Sequence, residues 1–344
     1  MPFLSLSNEL ILEITTYLSP SCAAHLLLCN RHLSNLLATT PIDAVFRTRS
    51  VPHGTRALLS AAERSDVPTA TTLLQRGILN LISTPPSNSG KFLVDTIRKL
   101  DDTIINTLIE AGIPVNPGSS CGQTPLSVAA TNGRAGVVRM LLQRPELNIN
   151  CPDGIRGMAP LMHAIEQKHE EIVRLLLADP RTMVTLTGGM DRETPFMMAI
   201  RCDAEGIVRE FLLHPEVDVA ISAALMTGDA SLKLAMKHAS DGVVRALLED
   251  SRVDVNFSDP DGVMALHIGG IMGRVNAVRM LVESGKADVH AACSDGGDTA
   301  LAIAVREGHK EIEEVLLKAG AGDPPRRKGP SMVGYRGRRV FLRD

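Results

Sequence analysis

The stretch that decides the fold is residues 122–150, which read GQTPLSVAATNGRAGVVRMLLQRPELNIN. Thr124 is a favourable N-cap, and Pro125 suits the first position of a helix because that position needs no N–H donor. Small and apolar residues follow as far as Gly133, a residue typical of a helix end. A second aliphatic run predicts another helix, which Pro145 terminates. The stretch therefore predicts two short antiparallel helices followed by an extended turn.

The same pattern recurs along most of the chain, in steps of 33 to 36 residues. The aligned copies begin at Arg56, Lys91, Thr124, Ala159, Thr194, Ala230, Met264 and Thr299. Most steps exceed 33 because one extra residue follows the second helix, as in Arg144-Pro145-Glu146-Leu147. So regular a period predicts an all-α solenoid of about eight modules over residues 52–322. Each module buries its apolar face only against its neighbours.

Composition narrows the classes of function. Apolar residues make up 44% of the chain and charged residues 22%, as in ordinary globular proteins, and the net charge of −3 indicates no general affinity for nucleic acid or membranes. No apolar run is long enough to cross a bilayer, and the first residues lack the basic start of a signal peptide. We therefore expect the protein in the cytoplasm, the nucleus or both. The six cysteines are scattered without metal-ligand spacing: Cys22, Cys29, Cys121, Cys151, Cys202 and Cys293.

No residue pattern points to catalysis, a metal ion or a cofactor. His169-Glu170-Glu171 lacks a second histidine one helical turn away, so a solvated helix face is predicted there and not a metal site. Gly188-Gly189 and Gly269-Gly270 lack the residues that complete a phosphate-binding loop. No Ser/His/Asp or Cys/His arrangement follows from the spacing. We therefore predict a binding protein and not an enzyme.

The repeating unit resembles the ankyrin repeat. Thr124-Pro125-Leu126-Ser127-Val128-Ala129 is similar to the T-P-L-H-x-A signature of that family, and Met264-Ala265-Leu266-His267 keeps its leucine and histidine. The resemblance covers roughly residues 52–322. It implies helix–turn–helix units joined by hairpin-like turns, with a protein-binding face of turn tips and first helices. It also implies that His267 hydrogen-bonds to the backbone of the turn.

The first 45 residues do not follow the repeat. Four apolar residues spaced by four lie on one face of a predicted helix: Leu6, Leu10, Ile14 and Leu18. Ser19-Pro20 then opens a further helix, and three short helices in about 40 residues form only a very small core. This segment resembles the F-box, a three-helix motif, although Ser7 stands where the motif usually has proline.

The F-box resemblance implies that Leu6, Leu10, Ile14 and Leu18 bind a Skp-type adaptor of a cullin–RING ubiquitin ligase, while the repeats recruit a protein substrate. The predicted substrate contacts lie mostly at turn tips: Ser119, Gln123, Asp153, Ile155, Arg156, Asp191, Arg192, Asp259, Asp261 and Asp295. In the alternative interpretation, the N-terminal helices only cap the first repeat. The chain is then an ankyrin scaffold without a ligase role.

Residues 323–344 differ in character from the repeats. They carry seven basic side chains against two acidic ones, and their prolines and glycines predict a disordered basic tail. The functional alternative is nuclear import, or contact with an acidic partner, through Arg326-Arg327-Lys328. The second helix of the last repeat is heavily charged and is predicted to be a solvated terminal cap.

Overall fold

The computed structural model describes residues 51–82, 89–116, 122–154, 156–189, 192–214, 231–293 and 297–322. The helices of the first three repeats are α1 (Val51–Glu63), α2 (Val67–Gln75), α3 (Ile78–Ile82), α4 (Ser89–Lys99), α5 (Asp102–Glu110), α6 (Pro125–Thr131) and α7 (Ala135–Leu142). The next two repeats contribute α8 (Pro160–Glu166), α9 (Glu170–Leu177), α10 (Pro195–Arg201) and α11 (Glu205–Leu213). The last three contribute α12 (Ser231–His238), α13 (Asp241–Glu249), α14 (Ala265–Met272), α15 (Val275–Glu283), α16 (Ala300–Glu307) and α17 (Lys310–Lys318).

The described residues contain no strand. Two isolated antiparallel bridges, Gly188 with Glu193 and Ala292 with Thr299, mark hairpin-like turns between repeats. The all-α class and the hairpin-like turns agree with the prediction.

The chain divides into two compact units, residues 1–163 and 164–344. In the first unit, α4 packs on α6 and α5 packs on α7. In the second unit, the first helices pack in the order α10, α12, α14, α16, and the second helices in the order α9, α11, α13, α15, α17. Equivalent helices of consecutive repeats are therefore neighbours, which confirms the predicted adjacency within each unit.

Threonines of the repeat pattern, among them the predicted N-cap Thr124, begin three of the first helices. The hydroxyl of Thr124 accepts the N–H of Ser127 at 2.9 Å, and those of Thr194 and Thr299 accept equivalent N–H groups, each at 3.2 Å. Each bond satisfies a donor that a helix start otherwise leaves unpaired, which is worth about 1 kcal/mol. The threonines of the repeat pattern therefore set where these helices begin.

In two of the longer repeats, the segment that carries the extra residue forms a compact fork. The Asp179 carboxylate accepts the backbone N–H of Arg181 at 2.9 Å and its guanidinium at 2.7 Å, and Asp250 does the same with Arg252 at 2.9 and 2.5 Å. Side-chain hydrogen bonds from Arg181 and Arg252 are the main reason that the pKa values of the two carboxyls lie below their usual range. The extra residue that the repeat period indicates is thus part of an ordered turn in these two repeats.

The first repeat departs from the predicted pattern. Helix α1 begins at Val51, five residues before Arg56, and α3 has no counterpart in the repeat pattern. Helix α1 packs on α2, α3 and α5, so it does not follow the first-helix-on-first-helix order of the later repeats. The predicted N-terminal helical motif (residues 1–45) and the basic tail (residues 323–344) lie outside the described residues.

Candidate functional site

Four turn tips in the described part of the chain are closed by backbone hydrogen bonds. Asp153 N–H donates to the carbonyl of Met158 at 2.9 Å, and Cys293 N–H donates to that of Asp298 at 3.0 Å. In the tip that precedes α14, Gly262 has a φ of +73°, a conformation that strains any residue with a Cβ. The tips are therefore defined loops that project from the stacked helices.

Asp153 organises one tip from the inside. One carboxylate oxygen accepts the N–H groups of Arg156 at 2.7 Å and Met158 at 3.3 Å, and the other accepts Nε2–H of His163 at 2.8 Å. The Asp153 and His163 side chains are almost completely buried, at 2% and 3% exposure. Burial alone would raise the pKa of Asp153, but the two N–H groups and the imidazole outweigh it and hold the pKa below its usual range.

Asp259 plays the same part in a second tip, with a different cation. One oxygen accepts the N–H groups of Asp261 at 3.0 Å and Val263 at 2.8 Å, and the other lies 2.6 Å from Nζ of Lys233. Lys233 belongs to α12, the first helix of the preceding repeat, and its side chain is buried. A buried ammonium is tolerated only when it is paired, so this contact fixes the tip against the helix stack.

His267 links α14 to the following turn. The N–H of Met264 donates to its Nδ1 at 3.0 Å, so the imidazole proton is on Nε2, which donates to the carbonyl of Ala291 at 3.1 Å. The ring is 1% exposed, and this burial lowers the pKa of His267. The predicted hydrogen bond from this histidine to the turn backbone is confirmed.

The structure places the predicted contact residues in different environments. Arg156, Arg192 and Asp261 are exposed, and Gln123 is half-buried, where its side-chain oxygen accepts Arg98. Asp153 is 4% exposed, so its carboxylate supports the tip from within and is not part of the surface. Asp259 is half-buried. The other predicted tip residues lie outside the described ranges, as do the four predicted adaptor contacts: Ser119, Ile155, Asp191 and Asp295, with Leu6, Leu10, Ile14 and Leu18.

The first helices have fewer exposed residues than the sequence predicts. In α10, α12 and α14, the first six residues are all buried, and exposure begins only in the last turn. Met272 at the end of α14 is 53% exposed and Val305 on α16 is 44% exposed. Sequence reasoning missed both residues, although alignment of the repeats places them in the last turn of first helices.

Acid–arginine pairs hold two of these helix ends. Nε of Arg201 lies 3.0 and 2.9 Å from the two carboxylate oxygens of Glu193, and Nη1 of Arg306 lies 2.5 Å from Oδ2 of Asp298. Both acids precede an N-cap threonine and both arginines lie in the last turn of the helix that follows, so each pair ties a tip to its own first helix. The surface near these tips is polar, and its side chains are fixed by internal contacts.

The described residues offer little to covalent or metal chemistry. Burial raises the pKa of Cys202, and it raises that of Cys293 to about 11, so neither thiol is an activated nucleophile. No three His, Cys, Asp or Glu side chains lie together as metal ligands within the described ranges. None of the helices in those ranges combines the length and apolar character that a bilayer crossing requires.

Comparison with known proteins identifies the repeat. A family model described as ankyrin repeats (3 copies) matches residues 93–186, 145–223 and 232–327, which together exceed half of the chain. An ankyrin repeat domain from Acinetobacter baumannii AYE is 26% identical, with a TM-score of 0.50, over 58% of this chain and 98% of that one. The ankyrin repeat domain of Bcl-3, a member of the IkappaB protein family, is 22% identical, with a TM-score of 0.53, over 76% of this chain and 97% of that one. At that identity, the second likeness concerns the fold alone.

Proposed function

The chain belongs to the ankyrin-repeat family, and from this premise we propose that it is the substrate receptor of a ubiquitin ligase. In this proposal, residues 1–45 bind a Skp-type adaptor of a cullin–RING ligase, and the repeats bind a protein substrate. The chain performs no catalysis; it raises the concentration of substrate beside the catalytic subunits. The complex forms in the cytoplasm, the nucleus or both.

Ankyrin repeats form protein–protein interaction domains, and their fold is typically non-enzymatic. The observation that supports a substrate-binding role is that the exposed tips have a fixed backbone conformation. Arg156 and Asp261 are exposed on turns whose backbone is fixed by Asp153 and Asp259. Side chains on a preformed backbone lose less conformational entropy on binding. Tips of this kind within one unit can contribute to a protein interface, whose standard size is about 1,200–2,000 Å².

Support for the adaptor-binding half comes from the sequence. The apolar stripe of Leu6, Leu10, Ile14 and Leu18 resembles that of the F-box, and its position before a repeat array matches an arrangement in which adaptor and substrate bind to separate segments. A charged residue on this stripe disrupts an apolar contact at large cost, because an unpaired carboxylate resists burial. The two halves of the proposal can therefore be separated by substitution.

Affinity purification from cells tests both halves. We expect the wild-type chain to recover an adaptor, a cullin and a substrate. Leu10→Asp combined with Ile14→Asp is expected to abolish recovery of adaptor and cullin while substrate recovery persists. Arg156→Glu combined with Asp261→Arg is expected to do the reverse. Each double variant is thus the folding control for the other.

Absence of adaptor and cullin with the wild-type chain, or their equal recovery with the Leu10 and Ile14 variant, would reject the ligase role. A substrate that still depends on Arg156 and Asp261 then defines an ankyrin scaffold. In that case, removal of residues 1–45 is expected to lower the stability of the repeat at Arg56 without changing the set of recovered partners.

A further inference from the structure

The last repeat presents an apolar end face. Val305 on α16 and Leu317 on α17 are each 44% exposed. The equivalents of Val305 in three earlier repeats of the second unit, Ile200, Met236 and Gly270, are buried because the next first helix packs on them. The described residues that follow α17 leave Val305 and Leu317 uncovered. A stack normally ends in a polar outer face, so two large apolar side chains here need a cover.

The charge at the edge of this face is reversed relative to the five preceding repeats. One position of the second helix is arginine in five consecutive repeats: Arg139, Arg174, Arg209, Arg245 and Arg279. Two of these reach forward to the next repeat, since Arg174 lies 2.7 Å from a carboxylate oxygen of Glu210 and Arg209 lies 2.8 Å from one of Glu249. The last repeat has Glu314 at this position, 69% exposed, with the Lys318 ammonium at 4.0 Å. The side chain that extends from this face is therefore the carboxylate of Glu314, and a positively charged group would complement it.

A backbone carbonyl on the same face could also accept a hydrogen bond from a cationic side chain. In the second unit, the carbonyl of Leu212 accepts the guanidinium of Arg252, and the carbonyl of Leu248 accepts Nζ of Lys286 at 3.4 Å. Both donors come from the following repeat. The equivalent carbonyl in the last repeat is that of Leu317, in the last turn of α17, where the helix dipole favours positive charge.

The segment that follows this repeat contains both basic and apolar residues, which are the two kinds that would complement this face. Residues 323–344 carry a net charge of +5, from seven basic and two acidic side chains, and include the apolar run Val340-Phe341-Leu342. Arg326, Arg327 and Lys328 come four to six residues after Gly322. An extended chain advances about 3.3–3.6 Å per residue, so four to six residues are long enough to bring these cations back over the end of α17.

We propose that residues 323–344 dock on the end face of the last repeat. Tail cations pair with Glu314 and the Leu317 carbonyl in place of a following repeat, and apolar tail residues cover Val305 and Leu317. The docked segment closes the stack, so that a second copy of the chain does not add end to end through the same apolar surface.

A charge-swap experiment in the full-length chain tests this docking. Hydrogen exchange of the α17 amides is measured for Glu314→Arg, for a tail variant with Arg326→Glu, Arg327→Glu and Lys328→Glu, and for their combination. Each variant alone is expected to speed exchange about two- to five-fold, the range for loss of an exposed ion pair. The combination is expected to restore exchange towards wild type, because opposite charges again face each other. Glu283→Arg, an equal charge change in the preceding repeat, is the matched control and should not be rescued.

Three results would overturn the proposal. Exchange in α17 that is unchanged by both variants removes the contact altogether. Effects that simply add in the combination show that the two segments act independently. Protection of α17 that rises with protein concentration, together with dimers in sedimentation, assigns the face to a second copy and not to the tail.

Discussion

Lys233 and Asp259 join the first helix of one repeat to the turn tip that precedes the next: Nζ lies 2.6 Å from Oδ2, and the lysine side chain is 1% exposed. The other carboxylate oxygen holds the N–H groups of Asp261 and Val263. A cation inside the stack thereby sets the shape of a loop on its surface. The geometry of this tip depends on the interior of a neighbouring repeat as well as on its own sequence.

Replacement of Lys233 by Met is expected to lower the free energy of unfolding by about 3 kcal/mol, because it leaves the Asp259 carboxylate without its buried cation. Urea denaturation measures this change. Lys310→Met, at an exposed position of α17, is the control and should shift stability by no more than about 0.5 kcal/mol. Equal effects of the two substitutions would show that the buried pair contributes nothing specific.

His267 is expected to make stability depend on pH. Its folded-state pKa lies below the ordinary value of 6.5, with burial as the main cause, so the unfolded chain binds the proton first as pH falls. The stabilisation is complete above pH 6.5 and is lost as pH falls from there through the folded-state pKa. Denaturation midpoints measured across this window should decline in the wild-type chain and decline less in His267→Gln. Parallel declines would exclude this histidine as the source.

Gly269→Ala is expected to destabilise the second unit even though alanine favours helices. An added Cβ would lie 2.5 Å from Cγ2 of Val278 and 2.7 Å from Cε of Met236, and the β-branched valine has little rotamer freedom. We expect a loss of about 1–2 kcal/mol. Gly136→Ala is the control, because its Cβ meets only the exposed end of the Asp102 side chain. That substitution should be neutral or stabilising by up to about 1 kcal/mol, and a loss as large as that at Gly269 would contradict the packing argument.

Cys293 is expected to resist alkylation in the folded protein. Its side chain is buried and the pKa of its thiol is raised to about 11, so little thiolate is present at pH 8. Mass spectrometry after treatment with iodoacetamide should find Cys293 unmodified in native protein and fully modified in urea. Rapid native labelling would mean that the turn at residues 291–299 opens readily.

The repeat pattern predicts those features that local chemistry controls. Thr124, Thr194 and Thr299 begin their helices as side-chain N-caps, because a hydroxyl at that place satisfies an unpaired N–H in any tertiary context. The predicted bond from His267 to the turn is also present. The extra residue after the second helix was recognised from the period, although its role as an Asp–Arg fork was not.

The predicted binding surface was less accurate, because exposure is a property of the packed stack. Aspartate is a residue type typical of turns, yet the Asp153 side chain lies inside the tip against His163. Conversely, Met272 and Val305 belong to apolar helices and are exposed. A pattern along the chain shows which residues share a helix face, but not which face the next repeat covers.

The amino-acid sequence by itself therefore determined the period, the helix pairs, their caps and their order, since each depends on interactions within about one repeat. Only the tertiary structure decided that Lys233 neutralises Asp259, that Asp153 is internal, and that the end face of the last repeat is apolar with Glu314 at its edge. Those features arise where side chains 10 to 26 residues apart, or missing neighbours, set the burial and pairing of a charge. Such contacts depend on how repeats stack, which spacing along the chain does not encode.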